Sequence, residues 1–463
     1  MLIRTSASSD PVKEGKHRRL SRRSILLACC AGALILLAAA GAFWMFRSSP
    51  EIQLIWRRDA AKIAAVLIFT ATYAVIAIGK LPGSHMDRAG AALLGASLMV
   101  TTGLLSLDDA YRAIDVDTIA LLLGMMIIVA NIRLSGFFHL VNNWVVTRAG
   151  HPLLLVAAVI LISGFFSAFL VNDAICLALT PLVLDFVTRL RRNPVPYLLA
   201  LAMASNIGST ATITGNPQNI IIGSFSQIAY TAFSAALWPI AAVGLLLTLL
   251  LIVLLFPGEF WTRERPQAYP LPGRVHLALL IKSVGITGAM VAACFAGQPP
   301  AKAALIAGAL LLLTRRVKSE KVYRLIDWTL LLMFMGLFIV VAGFEKAVLT
   351  PELMQAVGGL HLDQLPVLSL VTAALSNLVS NVPAVLVLKP FVSSLPDPQH
   401  AWLTVAMSST LAGNLTIVGS VANLIVVQVA RAHGIKIGFW EHAKVGVPLS
   451  FLTILFGVVW LHD

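Results

Sequence analysis

Apolar runs of about twenty residues follow one another through this chain, and two of them are interrupted by clusters of Asn, Thr, Ser and Gly. Each run is long enough to cross a bilayer. In lipid every backbone N–H and C=O must find a partner within the protein. The runs must therefore be helical, and an irregular break is tolerated only where it lines a protected cavity. The first half carries Asn172-Asp173, then Asn206-Ile-Gly-Ser-Thr-Ala-Thr-Ile-Thr-Gly-Asn-Pro-Gln-Asn219. The second carries Ser380-Asn381-Val-Pro383, then Gly413-Asn-Leu-Thr-Ile-Val-Gly-Ser-Val-Ala-Asn423. Matched interruptions in two halves are the sequence mark of a transporter with a binding site near mid-membrane.

Composition removes other classes. The chain is 58% hydrophobic and 12% charged, with a mean hydropathy of +0.88, where a soluble domain holds about 25% charged residues. The net charge of +13 falls mostly in short connections and the N-terminal tail. That is the pattern of topology control, not of nucleic-acid binding. Cys29, Cys30, Cys176 and Cys294 lie in apolar sequence without metal spacing and read as packing residues. No haem, zinc or nucleotide motif is present in the sequence, so no cofactor is expected beyond sodium or protons as coupling ion. Scattered histidines (His151, His361, His433) offer no convergent catalytic cluster, and an enzyme is not expected.

The expected fold class is an all-α polytopic membrane protein of eleven transmembrane helices and two re-entrant hairpins in two inverted repeats. A basic cytoplasmic tail (1–23) precedes a first span and loop (24–60). Arg22-Arg23 and the run ending at Cys29 resemble export or lipidation signals only loosely, and the run is read as a retained helix. The first repeat covers 61–256, a cytoplasmic linker 257–274 and the second repeat 275–463. Hairpins are expected near 152–186, with Asn172 close to the tip, and 364–394, with Asn381 inside. Broken spans are expected at 196–225 and 402–430. With the N-terminus cytoplasmic, Arg189, Arg191, Arg192, Arg263, Arg265, Arg274, Arg315, Arg316, Lys318, Lys321, Arg324, Arg431 and Lys436 fall on the cytoplasmic side. Arg47, Arg57 and Arg58 fall outside and disagree with the rule.

The halves can be laid over each other. Ser167 to Pro181 matches Ser376 to Pro390, each with an internal Asn nine residues before the proline. Thr212-Ile-Thr-Gly-Asn-Pro-Gln-Asn219 matches Thr416-Ile-Val-Gly-Ser-Val-Ala-Asn423. Asp117 and Asp327 open corresponding spans and are expected to cap them.

A broken helix offers free N–H groups at one inner end, which attract anions, and free carbonyls at the other, which suit a small cation. Ser209, Thr210, Thr212, Thr214 and Asn216 surround the first break, and Asn414, Thr416 and Ser420 the second. Asn172 and Asn381 approach from the hairpins, Asn206 opens the first polar run, and Asn219 and Asn423 follow the breaks by about one turn. Each could instead pack or cap helices. A sodium site is expected near Asn172, Asp173, Gly208 and Gly215. Asp173 is an acidic group in apolar surroundings, where it must bind a cation, carry a proton or pair. Lys389, near the end of the second hairpin, either snorkels to the interface or balances an anion. Glu345 ends a span and is expected at the interface.

These motifs resemble the ion transporter superfamily, which includes divalent anion/sodium symporters, citrate–metal permeases, arsenite efflux permeases, the melanosomal P protein and sodium/proton antiporters. The likeness runs over nearly the whole chain after about residue 60. It implies a scaffold part and a transport part in each half, elevator-type alternating access, a homodimer, and location in the cytoplasmic (inner) membrane. In the symporter branch a hairpin Ser-Asn-Thr motif binds sodium and carboxylate. Here it reads Val171-Asn172-Asp173 and Ser380-Asn381-Val382, so only the asparagines carry over. Asp173 resembles the Asn-Asp of the arsenite branch. The function implied is secondary transport of a small anion or oxyanion coupled to sodium or protons, with arsenite efflux or sodium/proton antiport as the alternative.

Overall fold

The computed structural model describes residues 50–79, 85–148, 151–261, 275–313, 317–350 and 359–462. The basic tail, the first expected span with Cys29 and Cys30, and residues 262–274 of the expected linker lie outside the described residues.

The chain is an all-α polytopic membrane protein. Its helices are α1 (Pro50–Ile78), α2 (Arg88–Thr101), α3 (Leu107–Ala113), α4 (Val116–Ser135), α5 (Phe137–Arg148), α6 (Pro152–Phe169), α7 (Asn172–Arg189), α8 (Pro194–Ser209), α9 (Pro217–Ser226) and α10 (Tyr230–Leu255). Then follow α11 (Pro257–Phe260), α12 (Leu277–Phe295), α13 (Pro300–Leu312), α14 (Ser319–Tyr323), α15 (Trp328–Val348), α16 (Leu365–Val379), α17 (Asn381–Val392), α18 (Pro398–Ala412), α19 (Val421–Ala432) and α20 (Phe439–His462). Among the described residues, seven helices are long and apolar enough to span a membrane: Asp59–Ile78 within α1, and α4, α6, α10, α12, α15 and α20. Five shorter helices (α2, α13, α16, α17, α19) are also apolar.

Local sequence explains where the helices start. Proline is the first residue of α6, α8, α9, α13 and α18, where its missing N–H is no loss and its fixed φ suits the first turn. Carboxylates cap others: Asp87 accepts from Gly90 N at 2.9 Å, Asp115 from Thr118 N at 3.1 Å and Asp327 from Leu330 N at 3.0 Å. The expected cap Asp327 is in place. Its supposed counterpart Asp117 is not a cap, because α4 starts at Val116, two residues before a helix capped by Asp117 would, and leaves Asp115 at the capping position. Asp117 sits instead in the first turn, where a carboxylate still favours the helix dipole.

Packing is reciprocal between the two halves. Helix α4 lies along α13, and α15 lies along α2. Both contacts are made through glycine. A Cβ on Gly124 would stand 2.5 Å from the Ala304 carbonyl carbon, and one on Gly336 would stand 2.6 Å from that of Ala92. Small residues let helix backbones approach this closely, which drives helix association in lipid, where the hydrophobic effect is absent. Span α4 buries 72% of its apolar window and Asp59–Ile78 only 22%, so α4 is interior and α1 faces lipid.

Helices α6 to α9 and α16 to α19 form the polar centre. Helices α6 and α7 make one packed pair joined at Leu170-Val171, and α16 and α17 make another joined at Ser380. Each pair's first arm packs on its own half's following helix, α6 on α8 and α16 on α18. Each second arm packs on the helix beyond the other half's break, α7 on α19 and α17 on α9. Ser380 holds φ +80° and ψ 159°, a region reserved almost wholly for glycine.

Candidate functional site

Both broken spans appear as the polar sequence demanded. Helix α8 ends at Ser209, a short turn covers Ile213–Gly215, and α9 restarts at Pro217. In the second half α18 ends at Ala412, the turn covers Ile417–Gly419, and α19 restarts at Val421.

Each break satisfies its own exposed backbone by the same device. Asn216 caps α9 by accepting from Asn219 N at 2.8 Å. The Asn219 amide then reaches back to the Ser209 and Thr212 carbonyls at 3.1 and 3.0 Å. In the second half Ser420 caps α19 by accepting from Ala422 N at 3.2 Å. Asn423 reaches back to the Gly413 and Thr416 carbonyls at 2.8 and 3.1 Å. The device resembles a capping box, with an amide serving the carbonyls of the preceding helix. It is needed because an unpaired backbone group in a membrane interior costs several kcal/mol. Close contact completes it: a Cβ on Gly208 would collide with the Gly164 backbone, and one on Gly215 with the Ser209 carbonyl.

The two breaks are tied together at Asn206. Its Oδ1 accepts from Asn172 Nδ2 at 3.0 Å and from Ser420 Oγ at 2.9 Å. Its Nδ2 donates to Asn414 Oδ1 at 2.8 Å and to Asn423 Oδ1 at 3.0 Å. One side chain, 1% exposed, thereby joins the first hairpin to the second half's break. Asn414 Nδ2 donates in turn to Met203 O at 3.3 Å.

A second cluster lies around Thr410. Its hydroxyl accepts from Asn216 Nδ2 at 3.2 Å and from Gln218 Nε2 at 3.1 Å. The Asn381 amide, with its nitrogen toward Ser409 O and Gly419 O, accepts from Gln218 Nε2 at 3.2 Å. Asn216 also donates to Ser209 Oγ at 2.9 Å.

The sequence-chosen residues thus fall into groups. Asn172, Asn206, Asn414, Ser420 and Asn423 form one network, and Ser209, Asn216 and Asn381 belong to the other. The Thr210 hydroxyl bonds back to Asn206 O at 3.4 Å, within its own helix. Thr212 donates to Ala168 O in the hairpin. Thr214 pairs with Tyr230 at 2.8 Å, and Thr416 donates to Asn377 Oδ1 at 3.1 Å, so these two serve neighbouring helices. Three members were missed: Gln218, Thr410 and Asn377. The spacing that pairs Asn219 with Asn423 also pairs Asn206 with Thr410, and extending the repeat would have found it.

Asp173 is half-buried at the start of α7, with the Ala422 N–H facing its carboxylate and the Asp327 carboxylate close enough to act on it. It is the one charged side chain among the residues chosen from sequence for the breaks and hairpin tips. Two buried acceptors, Asn172 Oδ1 and Asn219 Oδ1, have no hydrogen-bond partner among the described residues. An orphaned amide oxygen next to a carboxylate, as at Asn172-Asp173, is a ligand for a small hard cation or an acceptor for an O–H donor. No group of three His, Cys, Asp or Glu able to hold a metal occurs among the described residues.

Residues 73–412 match the citrate transporter family. The 46 kDa membrane protein of Mycobacterium leprae is 30% identical over 424 residues, covering 86% of this chain and 98% of that protein. The silicon efflux transporter LSI3 of rice (Oryza sativa subsp. japonica) is 27% identical, covering 82% of this chain and 93% of its own length. The crystal structure of the Alcanivorax borkumensis YdaH transporter superposes with a TM-score of 0.55 at 16% identity, over 87% of this chain and 97% of that one. That last likeness concerns the fold alone.

Proposed function

The chain belongs to the citrate transporter family, and from that premise we propose that it moves a small anion or oxyanion across the cytoplasmic membrane by secondary active transport coupled to sodium or protons. The observation that carries this reading is the direct joining of two helix breaks, one from each half, through Asn206. Broken helices meeting in the membrane interior present backbone dipoles and amides to a solute while lipid-facing surfaces remain apolar.

The arrangement of parts supports alternating access. We read α1 to α4 with α12 to α15 as a scaffold and the hairpins with the broken helices as the moving body, in two inverted repeats. The reciprocal contacts of α4 with α13 and α15 with α2 support that reading. So does the exchange of hairpin arms between the halves' breaks.

Asp173 is assigned the coupling role. It lies at two helix starts, its own and that of α19, and beside Asn172, whose Oδ1 lacks a partner. Purified protein in liposomes, given separate sodium and proton gradients, should accumulate substrate under one of them. Asp173→Asn should uncouple uptake from that gradient while leaving exchange at equal concentrations. Wild-type coupling in that variant removes Asp173 from the role.

A second reading has its own support. None of the side chains that bond across the two breaks carries positive charge, and the nearby charged group is a carboxylate. Such a site suits a neutral, hydroxyl-rich weak acid better than a multiply charged anion. The name of the rice relative, a silicon efflux transporter, agrees with it. A proteoliposome panel of silicic acid, arsenite, citrate, dicarboxylates and sulfate separates the readings.

A further inference from the structure

Away from the crossing of the breaks, a cleft of about 510 Å³ is lined by α3 and α15 on one side and by α9 and α17 on the other. That is the size of a small-molecule site. Its charged lining is Asp109, Arg112, Asp115, Glu345, Lys346 and Lys389.

These groups are not equally engaged. Lys346 donates to Asp109 at 2.7 Å, and this bond holds the Asp109 carboxyl below its usual value, so that pair is closed. Asp115 is occupied by Thr118, from both N and Oγ1. The others are unfinished. Lys389 Nζ stands 3.9 Å from Glu345 Oε1, too far for a hydrogen bond. It lies over the Phe225 ring at 4.5 Å. Glu345 Oε1 is buried with no hydrogen-bond partner among the described residues. The Arg112 guanidinium has no carboxylate partner among them either. The cleft therefore offers Arg112, a cation without a carboxylate partner among the described residues, Lys389, whose ion pair with Glu345 carries no hydrogen bond, and one buried acceptor oxygen. An ion such as sulfate serves the two cations and not the acceptor.

We propose that this cleft is a second binding site, for a small oxyacid anion that retains an O–H. The charged oxygens take Lys389 and Arg112, and the hydroxyl donates to Glu345. Glu345 belongs to α15 and Lys389 to α17, so the bound anion bridges the scaffold and the second hairpin. This extends the transport reading but is measured without a gradient.

The test is equilibrium binding of radiolabelled inorganic phosphate and sulfate to the full chain in lipid nanodiscs at neutral pH. Phosphate keeps an O–H there and sulfate does not. Phosphate is expected to bind saturably, with sulfate weaker by about tenfold, the value of one good hydrogen bond. Lys389→Gln should weaken phosphate by at least about tenfold, and Lys389→Arg should retain it. Glu345→Gln should narrow the gap between the two anions. Absence of phosphate binding, equal binding of both anions, or a Lys389→Gln variant that matches wild type overturns the site. Gradient-driven uptake without cleft binding leaves the transport reading standing. Cleft binding without any uptake sinks the transport reading alone.

Discussion

Asn206 carries four hydrogen bonds to four residues, two in each direction of donation. Removing its amide leaves Asn172, Asn414, Ser420 and Asn423 short of a partner in a site closed to water. Each buried unsatisfied group costs about 1–3 kcal/mol. Asn206→Ala is therefore expected to destabilise the protein by about 3 kcal/mol or more, read as a fall in thermal unfolding temperature in detergent. An unchanged melting temperature would show that the crossing does not hold the halves together. Ser380 predicts the opposite sign. Its positive φ stores roughly 1–3 kcal/mol of strain, and Ser380→Gly should raise the unfolding temperature. A drop would mean that the Ser380 side chain stabilises the hairpin joint by more than its backbone costs. The residue scale also marks the limit of sequence reading. Asn, Gly and Pro in an apolar run announce themselves, because each is expensive there. Thr410 does not, since its hydroxyl sits in a run that reads as ordinary helix packing.

At the scale of elements, hydropathy located the interrupted regions: α6, α8, α16 and α18 begin within four residues of the positions expected for the hairpins and broken spans, whereas α1 departs from the expected start of the first repeat. That helix starts at Pro50 rather than near residue 61. Helix α5 was not anticipated. Its sequence Phe-Phe-His-Leu-Val-Asn-Asn-Trp is too polar for a span and too apolar for an obvious loop. Nor could the pattern say which faces meet, because every apolar face looks alike until a glycine finds a backbone. Gly124→Ala is thus expected to push α4 off α13 and lower folded yield. Gly285→Ala in α12, where nothing lies within 4 Å, should be neutral or gain about 0.5–1 kcal/mol. Size-exclusion profiles and melting curves of both variants check the contrast. Equal behaviour would deny the α4–α13 contact its importance.

For the whole molecule, the question is whether the parts move against each other. Phe225 of α9 and Phe338 of α15 face each other with ring centroids 6.2 Å apart, across the boundary between the assigned scaffold and moving body. In a cysteine-free background, Phe225→Cys with Phe338→Cys joined by a short thiol-reactive reagent should stop uptake, and reduction of the link should restore it. Full uptake with the link in place contradicts relative motion at that boundary.

The glycine contacts between α2 and α15 and between α4 and α13 also bear on how the protein is made. A ribosome delivers α2 to the bilayer long before α15 has been synthesised, and α4 before α13. Until translation passes residue 312 both grooves in the newly inserted half lack their partner helix, and the α2 groove lacks its partner until residue 348. The early half is therefore a client for whatever shelters incomplete membrane proteins. Two fragments cut between α11 and α12 and produced together should find each other, whereas the first fragment alone should be degraded.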